Sequence, residues 1–335
     1  MQRWLRRPPG SNWGEFGPDD QIGRLNLITP QRRLAATKEV REGIAFALSL
    51  PLDYPGGSLH PAFREPPHLT STVGMHNLVL AELYNAPGAP DIGNDDAVRL
   101  CTQYSTQWDG LCHIGSRFDA DNDGIEEIVY YNGFRAEDLI SSGDDGNSRA
   151  LALGVENMAV AALQGRGVLV NLHRVYGEQK VLIDYEQMMS VIDSQQIAIE
   201  PGDILCLYTG FGDLLLAMKR CPDVGRLRSS FADIDGRDER LLRWITDSNL
   251  AAICSDTQAI EIHPENDRRR EGGGSLLPLH QHCLFRLGIP LGELWYFQEI
   301  AEWLATHNRT SFLLTAPPLR LPGAVGSPVT PIGTV

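Results

Sequence analysis

Two short apolar runs entered through glycine-containing turns, and a third that follows a helically spaced stretch, restrict the fold more than any other feature of the chain. Val168-Leu169-Val170 follows Gly165-Arg166-Gly167, Ile204 to Tyr208 follows Pro201-Gly202-Asp203, and Ala251 to Cys254 follows Arg240 to Thr246. Apolar runs this short, bounded by turn residues, predict strands buried on both faces. Tyr185 to Ile192 and Arg240 to Thr246 have helical spacing and lie between the runs. Strands alternating with helices predict an α/β fold. Thr29-Pro30, a hydroxyl cap before a proline, opens a predicted helix from Pro30 to Glu42, with Gly43 just beyond its end. Phe46 to Leu50 and Asn77 to Leu83 read as short strands, and Pro51 to Pro67 and Ala86 to Gly93 as long loops of the kind that border sites. Arg268 to Gly274 reads as a surface loop inside this pattern, and no stretch has a linker's composition. The prediction is one α/β domain over residues 1–335, with an extended N-terminal segment 1–28 and a C-terminal tail 317–335.

Composition narrows the function classes. A length of 335 residues with 42% hydrophobic content supports a substantial core. A net charge of -14 repels phosphate backbones and anionic headgroups, which argues against nucleic acid as a partner. The N-terminal arginines Arg3, Arg6 and Arg7 run into prolines without an apolar core, so no signal peptide or membrane span is read there and a cytoplasmic location is expected. The six cysteines are scattered, with no C-x-x-C pair, which removes support for a zinc finger or a disulfide scaffold.

The densest group of polar, aromatic and titratable residues is Gln103-Tyr104-Ser105-Thr106-Gln107-Trp108-Asp109-Gly110-Leu111-Cys112-His113. Gln103, Gln107, Asp109 and His113 share parity and would project from one face of an extended segment. A straight strand would hold Gln107 and His113 about 20 Å apart, so a shared site requires a bend, which Gly110 permits. From spacing alone, an amphipathic edge strand with a core tryptophan explains the segment equally well.

The segment resembles the signature H-x-G-T-H-x-D-x-P-x-H of the cyclase family that includes bacterial kynurenine formamidase and isatin hydrolase. Thr106, Asp109 and His113 match it; Gln103, Ser105, Gln107 and Leu111 do not. Further similarities recur in order: Gly165 to Asn171, Gly202-Asp203-Ile204-Leu205 leading to Thr209-Gly210, Ser255-Asp256-Thr257, Gly288 to Glu293, and Gly326-Ser327-Pro328. The glutamines, followed by Tyr130-Tyr131-Asn132-Gly133, resemble one branch of that family. The resemblance implies a swivelling β/β/α fold, usually assembled as a homo-oligomer. It also implies a divalent metal held by signature residues with a late histidine and glutamate, water attacking an amide or lactam carbonyl, and proton transfer by the last signature histidine. Transferred residue by residue, it assigns Asp109, His113 and Glu293, with His282 as the late histidine ligand and His280 as its alternative, since the family position falls on Gln281 between them.

Glutamine in place of two signature histidines leaves a mostly oxygen donor set, which favours Mn²⁺ or Mg²⁺ over zinc, with a metal-free site as the alternative. In the metal-free case Asp109 would orient His113 for acid–base work while Gln107 offers an N–H to a developing oxyanion. Gln103, Trp108, Tyr130, Tyr131 and Asn132 are the candidate substrate contacts. The leading expectation is hydrolysis of a small amide or lactam. Its rivals are a metal-free cyclase, dehydratase or isomerase acting through Asp109 and His113, and a binding protein without chemistry. Asp119 to Gly124 opens like a calcium loop, but Tyr130 stands at the twelfth position, so a plain turn is expected. His263 is expected to be an ordinary loop histidine. Elbow, P-loop and dinucleotide motifs are missing from the sequence.

Overall fold

The structure is a computed structural model and describes residues 2–57, 59–61, 63–74, 76–142, 148–267, 269 and 274–335. Most of Arg268 to Gly274, expected as a surface loop, lies outside the described residues. A nine-stranded sheet organises the chain: β1 (Ala45–Ala47), β2 (Gln107–Asp109), β3 (Gln164–Asn171), β4 (Ile204–Tyr208), β5 (Ala252–Ser255), β6 (Leu291–Glu293), β7 (Ser311–Thr315), β8 (Gly326–Pro328) and β9 (Ile332–Thr334). Their order across the sheet is β1-β9-β7-β3-β4-β5-β6-β2-β8. Parallel pairing joins β3, β4 and β5, the three apolar runs read from sequence, to β6, and antiparallel strands extend both sides. Residues 317–335 thus supply two strands of the sheet. The N-terminal segment is pinned by the buried Trp4 and Trp13, with Trp13 Nε1 donating to the Phe285 carbonyl at 2.8 Å.

Helices cover both faces. On one side Val168, Val170, Leu205, Leu207 and Ile253 pack with Met188 and Val191 of a helix over Tyr185–Ser194 and with Leu241 and Ile245 of another over Glu239–Ser248. Asp184 and Gln187 form a capping box on the first, and Asp238 caps the second. On the other side Leu169, Cys206, Tyr208 and Cys254 pack with Ile300, Ala301 and Leu304 of a helix over Gln298–Thr306. The alternation of Val168, Leu169 and Val170 between faces is the two-residue period of a strand.

Two local expectations shift. The first helix ends at Ala36 and tightens into a 3₁₀ turn over Thr37–Glu39, where the Thr37 hydroxyl donates to the Leu34 carbonyl at 2.7 Å and competes with the helical pattern. The strand expected from Asn77 to Leu83 stops at Val79, because Leu80-Ala81-Glu82-Leu83, all strong helix formers, take a helical turn. Among the described residues no helix is long and apolar enough to cross a membrane.

Candidate active site

The site begins with register. β2 lies between β6 and β8, with Gln107 opposite Glu293 and Asp109 opposite Leu291. Residues opposite one another across a ladder share a face, so Gln107, Asp109 and Glu293 project together while Trp108 projects the other way. Gln107 Nε2 donates to Glu293 Oε2 at 2.9 Å. Trp108 is fully buried in the opposite core, meets Trp295 edge-on at 5.0 Å between ring centroids, and donates through Nε1 to the Ala316 carbonyl at 2.8 Å.

After Asp109 the chain turns at once, and His113 N donates to the Gly110 carbonyl at 2.9 Å. Gly110 is needed there for space: a Cβ would lie 2.9 Å from both Val155 Cγ1 and the Val325 carbonyl oxygen. The turn sets His113 Nε2 at 3.9 Å from Asp109 Oδ2. Gln103 Nε2 spans the two residues, donating to Asp109 Oδ1 and, at 3.1 Å, to His113 Nδ1. An amide N–H only donates, so Nδ1 accepts and the neutral imidazole carries its proton on Nε2, on the Asp109 side. Gly326 makes room for this glutamine, since a Cβ there would fall 2.6 Å from Gln103 Cγ.

The third wall is a helical segment entered at Pro278–His280 that continues as a π-helical stretch over Gln281–Leu287. His280 Nε2 lies 3.1 Å from Glu293 Oε1 and 3.9 Å from Asp109 Oδ2. Behind it, His280 Nδ1 meets Glu261 Oε1 at 2.8 Å. Glu261 is itself fixed, accepting from the backbone N–H groups of Leu279 at 3.0 Å and His280 at 2.9 Å. This carboxylate fixes the ring's orientation. Burial disfavours the His280 cation, but the bonds to Glu261 and Glu293 outweigh it and raise its pKa to about 10. Burial, reinforced by the Asp109 charge, pushes Glu293 up; burial pushes His113 down.

Several expected placements change. His282 turns away from the cluster, and its Nε2 pairs with Thr246 Oγ1 at 2.9 Å. Two residues along a helix rotate a side chain by about 200°, so His280 and His282 cannot face the same site. One of the two N–H groups of the Gln107 amide, expected for an oxyanion, is bonded to Glu293 Oε2. Trp108, expected against substrate, belongs to the opposite core. Asn132 adopts a left-handed conformation (φ 56°) and ties down the N-terminal segment: its Nδ2 donates to the Gly17 and Asp20 carbonyls, and its Oδ1 accepts from Gly14 N. Tyr131 is buried against Gly288, and Tyr130 is partly buried beside Gly115. Asp119 to Gly124 forms a turn in which Asp119 accepts from the N–H groups of Asp123 and Gly124. Glu261 escaped the sequence reading because 19 residues separate it from His280 and no spacing rule links them.

A cavity of about 140 Å³ opens over the cluster, with His113, His280 and Glu293 on its floor and Phe63, Arg64 and Gln258 among its walls. Ligand-capable atoms of Asp109, His280 and Glu293 all lie within 4.8 Å of one another. Asp109 Oδ2 and Gln107 Oε1 are buried without a hydrogen-bond partner. Orphaned buried acceptors beside two carboxylates and an imidazole fit a divalent cation.

Sheet order, helices on both faces and an acid–imidazole cluster on the antiparallel flank define a cyclase-type α/β protein. The family model described as "Putative cyclase" matches residues 46–262, and the chain belongs to the cyclase family. A solved structure described as a novel cyclase is 32% identical, with a TM-score of 0.76, over 97% of this chain and 99% of its own. Isatin hydrolase A from Ralstonia solanacearum is 13% identical (TM-score 0.53, 91% of this chain, 97% of its own). An isatin hydrolase bound to the product analogue thioisatinate is 14% identical (TM-score 0.53, 92% of this chain, 99% of its own), and this likeness is one of fold. No curated protein sequence matches the chain.

Proposed function

We propose that this protein hydrolyses a small amide, lactam or related carbonyl compound. The observation that carries the reading is the pair of orphaned acceptors, Asp109 Oδ2 and Gln107 Oε1, buried beside His280 and Glu293 under one cavity. Asp109, Glu293 and His280, with Gln107 Oε1 as a neutral fourth donor, would hold one divalent cation, and the oxygen-rich set favours Mn²⁺ or Mg²⁺. A cation bound there would supply Lewis-acid activation of water and carbonyl.

The chain's own groups account for the rest. Gln103 holds the neutral His113 with Nδ1 occupied and its proton on Nε2, so His113 is assigned to donate a hydrogen bond from Nε2 to the leaving group. Glu261 keeps His280 Nε2 aimed at Glu293, and Gln107 keeps Glu293 from rotating. Phe63 and Gln258 narrow the entrance and limit water around the reacting carbonyl.

One observation favours a second reading. His280, protonated between Glu261 and Glu293, would place a positive charge in the cluster without a metal, which suits an acid–base cyclase, dehydratase or isomerase. Elemental analysis of the purified protein, with turnover of amides, lactams and lactones before and after chelation, decides between them. Stoichiometric Mn²⁺ or Mg²⁺ and chelator-sensitive hydrolysis are expected; a metal-free protein that converts substrate without hydrolysis would overturn the reading. Assembly as a homo-oligomer belongs to the same proposal and is supported by apolar side chains exposed between residues 66 and 100, including Leu69, Leu83, Tyr84 and Ile92.

A further inference from the structure

The cavity's floor is acidic, yet its mouth carries a cation. Arg64 lines the cavity together with Gln258, His263 and His113. Among the described residues its guanidinium forms no ion pair, although the surface elsewhere pairs arginine readily, as in Arg220 with Asp53 at 2.7 Å or Arg228 with Glu265 at 2.6 Å. The position is also braced. Leu59 is buried, His60 Nε2 bonds the Tyr104 carbonyl at 2.6 Å, and Arg64 N donates to the Pro61 carbonyl at 2.9 Å. On the far side Glu65 N donates to Cys101 Sγ at 3.3 Å, and that thiol donates to the Phe63 carbonyl at 3.6 Å. Cys101 is two residues from Gln103, so the loop that presents Arg64 is tied to the segment that builds the floor.

We infer that Arg64 is a specificity residue that receives an anionic group of the substrate, so that the preferred compound carries a carboxylate on a part of the molecule separate from the bond that reacts. An arginine fork matches a carboxylate with two parallel N–H donors. A cation at the mouth gives an anionic group a partner away from Asp109 and Glu293, so the charged end of the ligand is held apart from the cluster that would act on the reacting bond. On the same wall His263, whose Nδ1 accepts from Glu265 N at 3.4 Å, offers its Nε2–H as a further donor, while the Gln258 amide N–H groups are taken by the Leu59 carbonyl and His60 Nδ1. The inference rests on the hydrolase reading for the nature of the bond broken; the recognition of an anion stands separately.

Calorimetric titration with benzoate and benzamide, a matched pair that differs in charge, tests it on wild type, Arg64→Met and Arg64→Lys. Wild type should bind benzoate at least ten times more tightly than benzamide. Arg64→Met should lose at least tenfold in benzoate affinity with less than a twofold change for benzamide, and Arg64→Lys should fall between, because a point ammonium replaces only part of a planar fork. Equal binding of the two probes, no binding of benzoate, or benzoate affinity unchanged in Arg64→Met would overturn the proposal; the last outcome would place the carboxylate on the floor. A protein that binds benzoate through Arg64 but hydrolyses nothing loses the hydrolase reading and keeps this one. Hydrolysis confined to uncharged amides does the reverse.

Discussion

The floor and the mouth of the cavity are built on opposite terms. His280 and Glu293 on the floor, and Gln107 and Asp109 just behind them, are each at most 4% exposed, and three of these four sit on adjacent strands whose register fixes their separations. At the mouth, Phe63 is 76% exposed and the loop is held by a few hydrogen bonds and one buried leucine. A sheet can place charged groups with the precision that chemistry requires because its reverse side is packed, here by Trp108 against Trp295. A loop can vary its side chains without disturbing that packing, which suits it to selecting substrates. The proposed function accordingly puts the chemistry on the sheet and the selectivity on the loop.

The contrast can be broken most severely from the floor's far side. Trp108→Ala removes a fully buried indole on the side of the strand away from the cavity, and denaturant unfolding should show a loss of about 3–5 kcal/mol; a loss under 1 kcal/mol would mean that the strand is held by something other than that core. A smaller effect is expected at the loop's anchor. Burial lowers His60 to about 4, from an ordinary value near 6.5, although its bond to the Tyr104 carbonyl opposes the shift. The folded state favours the neutral ring, so the resulting stability is present above pH 6.5 and is lost as the pH falls toward 4, with a ceiling of about 3 kcal/mol. The stability advantage of wild type over His60→Gln, followed by thermal unfolding from pH 7 to pH 4, should shrink across that window; a constant difference would show that the ring's charge plays no part. The smallest effect belongs to Phe63→Ala, which should change stability by less than about 0.5 kcal/mol while raising KM, since an exposed side chain has little core to lose. A large stability loss there would erase the distinction between floor and mouth.

How much of this was legible in the sequence differs by region. The parallel strands and their helices announced themselves through apolar runs, caps and turns, because burial on both faces leaves a continuous signature. Asp109, His113 and Glu293 were found through a motif and its recurring neighbours. The choice between His280 and His282 was not legible: a helix sends residues two apart to opposite sides, and the sequence does not say which side faces the sheet. Trp108, Tyr131 and Asn132 lie close in sequence to candidate site residues, yet strand alternation and a left-handed turn send them into packing and N-terminal anchoring.

The α/β class, the family and the two carboxylates proposed for the site, Asp109 and Glu293, could be read from the chain alone, because hydrophobic periodicity and motif spacing are local properties. Only the tertiary structure decided that Gln103 bridges Asp109 to His113, that Glu261 orients His280, and that Arg64 stands over an acidic floor. Those contacts join residues brought together by strand register and loop closure, and their geometry follows from the packing of the whole sheet.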